Sequence, residues 1–418
     1  MINILIFLAG LAVYAGYGLP GLGYLTVATL LSYSVGLLTK RFRWAMWIAV
    51  GANAVMLVLL KLRPITGMEL ISALGVSYFS LQLISYNVDV WKGKYPPEKN
   101  LYRFALFVTY LPHLYIGPIE RYDRFQVSLR QRRMSWDGIF HGGARALWGL
   151  LKKLVIASRL GVVIGTISAD PETYSGAYAL AAMLLYSLQL YSDFSGGMDT
   201  MLGISQMLGL PLSENFDTPY FSQSFQEFWR RWHITLGGWL RDYVYIPLGG
   251  NRKGKVRKVI NTLITFLVSG LWHGVQYLLW GLFNGIFVCF GTKFQTKCKT
   301  LNRVGTFLLV SVLWSFFVWP DALTALKMVG SLFTTFNYGQ FFAAIGGMGL
   351  ALGDWVVLAA ALLLLWSHDC FRHSLWQRFD RACPALRTAV ICILALLVLT
   401  FGMYGIGFSA ADFIYSQF

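Results

Sequence analysis

The chain has 418 residues, of which 56% are hydrophobic and only 13% charged. A soluble domain carries roughly 25% charged residues, so this composition excludes an ordinary soluble protein and indicates a membrane protein with several crossings. The formal net charge of +16 does not indicate nucleic acid, because lysines and arginines cluster in short segments between apolar runs, as expected of loops on the cytoplasmic side.

The N-terminal MINILIFLAGLAVYAGYG has neither a basic leading segment nor a small-residue cleavage site, and reads as a first membrane helix rather than a removed signal. Apolar runs at 2–18, 22–38 and 44–60 predict the first three helices, with Lys40, Arg41 and Arg43 marking a cytoplasmic loop. Gln82, Asn87 and several serines in the next apolar stretch predict a face turned to a cavity or to other helices. Pro112 and Pro118 break the run at 101–119, which a bilayer tolerates where the backbone is buried in protein or lines a cavity.

Residues 120–159 carry Arg121, Arg124, Arg130, Arg132, Arg133, Arg145, Lys152, Lys153 and Arg159, and read as cytoplasmic and interfacial helices. Residues 175–210 hold a span, in which Asp193 and Asp199 require a partner or water. From Ser224 a helix is predicted, with Ser224 and Glu227 as a capping box. Phe225, Phe228, Trp229, Trp232 and Leu236 share one face at helical spacing and Arg230 and Arg231 fall elsewhere, which suits a helix in the headgroup layer.

His233 projects at the edge of that aromatic face, either as a functional group or as an interfacial histidine bonded to backbone. The uncharged segment 259–292 is flanked by basic residues, which predicts a hairpin of short or broken helices with Gly270 and Gly274 near its tip. His273 lies fifteen residues past Lys258, or ~22 Å along a helix. An ionisable group at that depth marks a functional site, the alternative being a buried histidine bonded to a neighbouring helix.

A further span runs from Arg303 to Pro320, then a loop-rich apolar region reaches about Gly353. Another run ends at Trp366, before a mixed segment marked as cytoplasmic by Arg372, Arg378, Arg381 and Arg387. A last span at about 388–408 then delivers the C-terminus to the outside. The five cysteines form no CxxC pair, so neither a disulfide framework nor a metal site is expected.

Five stretches carry a resemblance: LGVSYFSLQLISYNVDVWKGK (74–94), YLPHLYIGPIERYDRF (110–125), YSDFSGGMDTMLG (191–203), NFDTPYFSQSFQEFWRRWHITLGGWLRDYVYIPLGGNR (215–252) and LWHG (271–274). In these the chain resembles the membrane-bound O-acyltransferase family, in its bacterial branch of alginate O-acetylases and D-alanyl transfer proteins. The resemblance implies an all-α polytopic membrane protein forming one integral domain over 1–418, a ring of tilted helices with re-entrant and interfacial helices around a central tunnel or funnel. It implies that His273 is the catalytic histidine and His233 a second histidine needed for activity. His113 departs from the branch, which has glutamine at that place. The C-terminal FIYSQF (413–418) is similar to the branch's FxYxxF tail, which implies that Tyr415 carries the acyl group as an ester; the alternative is an aromatic anchor at the membrane interface.

These readings give a membrane O-acyltransferase of the bacterial cytoplasmic membrane that holds no permanent cofactor. It would take an acyl group from acetyl-CoA or another acyl thioester at the cytoplasmic side, with Trp272, Arg230, Arg231, Arg252 and Lys253 as candidate donor contacts. The acyl group would pass through a tyrosyl ester to a cell-surface or secreted glycan, directly or through an extracytoplasmic acyltransferase partner. The alternatives are D-alanyl transfer from a carrier protein to teichoic acid, or a transporter in which His273 and Asp193 relay protons.

Overall fold

The computed structural model describes residues 2–16, 18–66, 75–291 and 295–404. Every regular element among them is helical, apart from an isolated antiparallel bridge between Phe216 and Trp232. Helices α1 (Ile2–Gly16), α2 (Leu19–Leu38) and α3 (Ala45–Thr66) occupy the first three apolar runs. Pro20 lies in the first turn of α2, where its missing N–H has no intrahelical partner to lose, so the helix starts before residue 22.

α4 (Val76–Trp91) carries the buried Gln82 and Asn87. α5 (Leu101–Thr109) opens on Asn100, whose side chain accepts from the Arg103 N–H, and the chain then bends into α6 (Leu111–Tyr115) around Pro112, as expected. α7 (Tyr122–Arg130) follows, and then α8 (Trp136–Leu151), capped by Ser135. A π-helical turn at Lys152–Ala157 joins α8 to α9 (Ser158–Ala169), and α10 (Ala177–Met207) is a 31-residue helix. After α11 (Phe225–Arg231) and α12 (Ile234–Leu240) come a π turn at Arg241–Tyr245 and α13 (Gly254–His273). The remainder is α14 (Leu278–Phe290), α15 (Lys299–Leu313), α16 (Ser315–Val318), α17 (Ala322–Thr334), α18 (Tyr338–Ala344), α19 (Leu352–Arg381) and α20 (Pro384–Phe401).

Four expectations change here. The helix expected from Ser224 through Leu236 is broken at Trp232 and His233. The loop-rich region before Gly353 contains two helices, α17 and α18. α19 continues through the mixed segment after Trp366, kinked at Phe371. The last helix starts at Pro384, again with proline in the first turn, and ends at Phe401 rather than near 408.

Among the described residues five helices are long and apolar enough to cross a membrane: Leu19–Leu38, Ala45–Leu62, Lys299–Val318, Leu352–Arg381 and Pro384–Phe401. Only 6% of the last is buried in protein, and Leu396 and Leu399 on it are exposed. Leucines so placed require an apolar solvent, which is the bilayer.

The chain folds into two compact units. The first comprises Met1–Arg133, Gly209–Glu214 and Thr235–Val275. One of its cores is aromatic, built on Tyr14, Phe79, Tyr86, Phe104, Phe107 and Tyr122. A second joins Tyr78, Leu81 and Ile84 of α4 to Leu236, Trp239 and Leu240 of α12, with Trp272 packed against it. Trp239 Nε1 donates to the Leu81 carbonyl at 2.8 Å, satisfying a buried donor.

The second unit comprises Met134–Leu208, Asn215–Ile234 and Gln276–Phe418. α8 and α10 touch through glycines: a Cβ on Gly149 would sit 2.4 Å from the Gly196 carbonyl oxygen, and one on Gly142 2.5 Å from that of Gly203. In a bilayer, helices gain little from apolar burial, and such close backbone approach is a main source of association. Across the same seam Lys152 Nζ lies 2.6 Å from Asp199 Oδ2, Arg145 Nη2 2.7 Å from Asp199 Oδ1 and Lys153 Nζ 2.7 Å from Asp193 Oδ1. These are the partners the two aspartates required. Lys152 is buried and is therefore no solvated cytoplasmic mark, and the same holds for Arg159, which binds Asp354 and the Phe401 carbonyl.

Candidate active site

His273 is the last residue of α13 and is 5% exposed. The helix stops there because Gly274 takes φ 151° and ψ 157°, a conformation essentially reserved for glycine. Directly after Gly274 a 3₁₀ turn (Val275–Tyr277) leads to α14. The C-terminal end of a helix carries partial negative charge, which favours a histidine that takes up a proton. Trp272 meets the His273 ring edge-on at 4.8 Å, and is itself met by the Tyr78 ring at 5.9 Å and by Lys61 Nζ at 5.8 Å from its ring centroid. An aromatic ring and a cation thus face the tryptophan beside the imidazole.

His233 sits in the break between α11 and α12, at φ +47°, 2% exposed. Ser224 caps α11 as expected by accepting from the Glu227 N–H, while Glu227 accepts from the Gln223 N–H, one residue before the cap. The helix ends at Arg231 because residues 215–217 pair with 231–234. The Asp217 N–H donates to the Arg231 carbonyl and the Ile234 N–H to the Asn215 carbonyl, both at 3.0 Å. His233 Nδ1 is 3.2 Å from Asn215 Oδ1. A carboxamide oxygen only accepts, so in the neutral ring Nδ1 carries the proton and Nε2 keeps a lone pair. Phe194 of α10 stands edge-on to the imidazole at 4.9 Å.

The candidate donor contacts differ in setting. Trp272 adjoins His273, whereas Arg230, Arg252 and Lys253 are exposed. Arg231 is committed to Glu227 at 2.6 Å and to Thr218 at 3.3 Å. Tyr415 and the tail 413–418 lie outside the described residues. His113 is fully buried, with Nδ1 3.1 Å from the Phe107 carbonyl oxygen and rings of Phe107, Tyr110 and Phe125 around it.

Sequence reasoning missed a polar network in the first unit. Arg121 pairs with Asp242 at 3.0 Å and its guanidinium lies 4.4 Å from the Tyr243 ring centroid; the Tyr243 hydroxyl donates to Asp89, which also holds Lys94. Asp242 and Tyr243 belong to the π turn, a feature frequent near functional sites. The signal was available, since all five residues lie in the motif stretches. Nearby, burial pushes the Glu120 carboxyl up, against the Ser213 N–H and hydroxyl and the Arg121 N–H that bind it. At Glu98 burial pushes the same way, but the Tyr122 hydroxyl, the Asn100 N–H, Arg103 and Gln126 together outweigh it and hold the carboxyl below its ordinary value.

The model of the family described as MBOAT, membrane-bound O-acyltransferase family, matches residues 98–335, which include both histidines. A protein of Pseudomonas fluorescens named probable alginate O-acetylase AlgI is 35% identical over 408 residues, covering 93% of this chain and 82% of its own length. A peptidoglycan O-acetyltransferase of Helicobacter pylori is 31% identical over 299 residues, covering 63% of this chain and 57% of its own. A teichoic acid D-alanyltransferase of Streptococcus thermophilus is 29% identical over 288 residues, covering 63% of this chain and 69% of its own length. A transporter reading of His273 and Asp193 gives way to this likeness, the more so as Asp193 is bound to Lys153. With a buried histidine at a helix end, an all-α membrane architecture and relatives aligned along most of its length, the chain belongs to the membrane-bound O-acyltransferase family and is an O-acyltransferase.

Proposed function

We propose that this enzyme moves an acetyl group from acetyl-CoA across the bacterial cytoplasmic membrane, for O-acetylation of a cell-surface or secreted polysaccharide. The observation that carries the reading is the placement of His273, buried at the end of α13 beside Trp272. Likeness to a protein named for alginate O-acetylation extends over 93% of the chain, and that to a D-alanyltransferase over 63%, which favours acetyl over D-alanyl.

Chemically, a phenol has a pKa of about 10 and needs a base to attack at neutral pH. His273 takes the proton from the Tyr415 hydroxyl as its oxygen attacks the thioester carbonyl. The C–S bond breaks, and the leaving thiolate takes the proton back from the imidazolium, releasing free CoA. The resulting tyrosyl ester is attacked in turn by a glycan hydroxyl, directly or through an extracytoplasmic acyltransferase partner, and Tyr415 leaves as the phenol. This scheme puts the C-terminus outside and the donor inside. His233, with Nε2 as an acceptor, positions donor or acceptor. Arg230, Arg252 and Lys253 are exposed and suit the phosphates of CoA.

Thiol release tests the donor. Purified enzyme with acetyl-CoA should release free CoA at a rate that falls ~10²–10⁴-fold in His273→Ala. Release from a D-alanyl carrier protein, with none from acetyl-CoA, would replace this reading with D-alanyl transfer to teichoic acid.

A further inference from the structure

His233 is one of two non-glycine residues with positive φ among the described residues, at +47°. A left-handed conformation at such a residue costs ~1–3 kcal/mol and persists only where its surroundings over-determine it. The surroundings are the short pairing of 215–217 with 231–234 and the Asn215 contact to the imidazole. That pairing is small, and needs its own support.

The support comes from far along the chain. Arg372 of α19 donates from Nη1 to the Phe216 carbonyl at 3.0 Å, and the same nitrogen lies 3.8 Å from Asp217 Oδ1. It follows directly on the kink at Phe371, where φ is −116° and ψ 15°. Three residues back, Asp369 accepts from the Tyr191 hydroxyl of α10 at 2.8 Å, so this stretch of α19 is tied to α10 as well. The Phe216 ring packs edge-on against Trp232 at 5.0 Å and Phe194 at 4.9 Å, and Phe194 in turn meets His233. The cation is therefore bonded to the residue that lies between the histidine's partner Asn215 and the paired Asp217.

We propose that Arg372 is a positioning residue for His233: its guanidinium pins the Phe216 carbonyl and Asp217, and thereby holds Asn215 and the left-handed turn that aims the imidazole. Arginine suits the task because its rigid, planar guanidinium fixes the direction of the N–H aimed at the carbonyl and stays charged, whereas lysine offers a rotating ammonium on a flexible stem. The inference rests on the reading that His233 takes part in acyl transfer.

The test is chemical modification of the full-length enzyme in detergent with diethyl pyrocarbonate, mapped by peptide mass spectrometry, together with acetyl transfer from acetyl-CoA. In Arg372→Gln, His233 should be modified several-fold faster than in the wild type, while the buried His113 of the first unit keeps its rate. Transfer should fall ~10–100-fold, the usual effect of a small misplacement of a reacting group. Arg372→Lys should fall between the two, and it decides the matter by the same comparison if Arg372→Gln does not fold. Unchanged modification of His233, or equal acceleration of His233 and His113, overturns the proposal, since the second pattern is a general loosening. Undiminished transfer by His233→Ala would overturn the underlying reading of His233, and that failure shows in the activity alone rather than in the modification pattern.

Discussion

His233 Nδ1 faces Asn215 Oδ1 at 3.2 Å, and the N–H of the next residue, Ile234, donates to the Asn215 carbonyl at 3.0 Å. Side chain and main chain thus fix the same ring. Asn215→Ala removes only the side-chain contact, and transfer should fall ~10-fold or more through loss of orientation. Thermal unfolding of the variant should stay close to wild type. Full activity in Asn215→Ala would show that the contact does not orient the ring.

Gly274 ends α13 in a conformation that a Cβ opposes. Gly274→Ala should cost ~1–3 kcal/mol of stability. It should also reduce transfer beyond what its melting temperature explains, because His273 is the neighbouring residue. A variant with wild-type stability and rate would show that the chain leaves the helix there without strain.

Asp199 is held by both Lys152 and Arg145, with Lys152 3% exposed. Removing one partner of a buried pair costs ~3–5 kcal/mol, since an uncompensated charge is left behind. Asp199→Asn should therefore lower the melting temperature in detergent clearly, and Lys152→Met combined with Asp199→Leu should recover part of the loss. Additive losses in the double variant would contradict the pairing.

The Glu98 carboxyl is held below its ordinary value of 4.5 by the groups that bind it. A depressed carboxylate contributes stability that is present above the unfolded-state value and is lost as pH falls through the folded one. Melting temperature should therefore drop as pH falls below about 4.5, and Glu98→Gln, which lacks that charge, should show a shallower drop. Parallel curves for the two proteins would remove Glu98 from the acid response.

Much of this was legible in the sequence. Apolar runs located α1 to α3, Pro112 announced the break after Thr109, and an uncharged stretch isolated His273. The break at His233 was not legible, because Phe225, Phe228, Trp232 and Leu236 keep helical spacing straight through it. What stops the helix is pairing with 215–217, which no local pattern records. The partners of the basic run 145–159 were hidden for a related reason. Hydropathy treats Lys152 and Arg159 as marks of the cytoplasm, and only the fold brings them to Asp199 and Asp354. Arg372 was hidden in the same way, as one more positive charge beside a span.

In the proposed scheme His273 activates Tyr415 to carry the acyl group. Purified protein incubated with acetyl-CoA, followed by intact mass and mapping of the C-terminal peptide, tests it most directly. An acetyl adduct on Tyr415 is predicted in the wild type, with none in His273→Ala and none in Tyr415→Phe. An adduct that forms equally in His273→Ala, or undiminished polysaccharide acetylation by Tyr415→Phe, would contradict it.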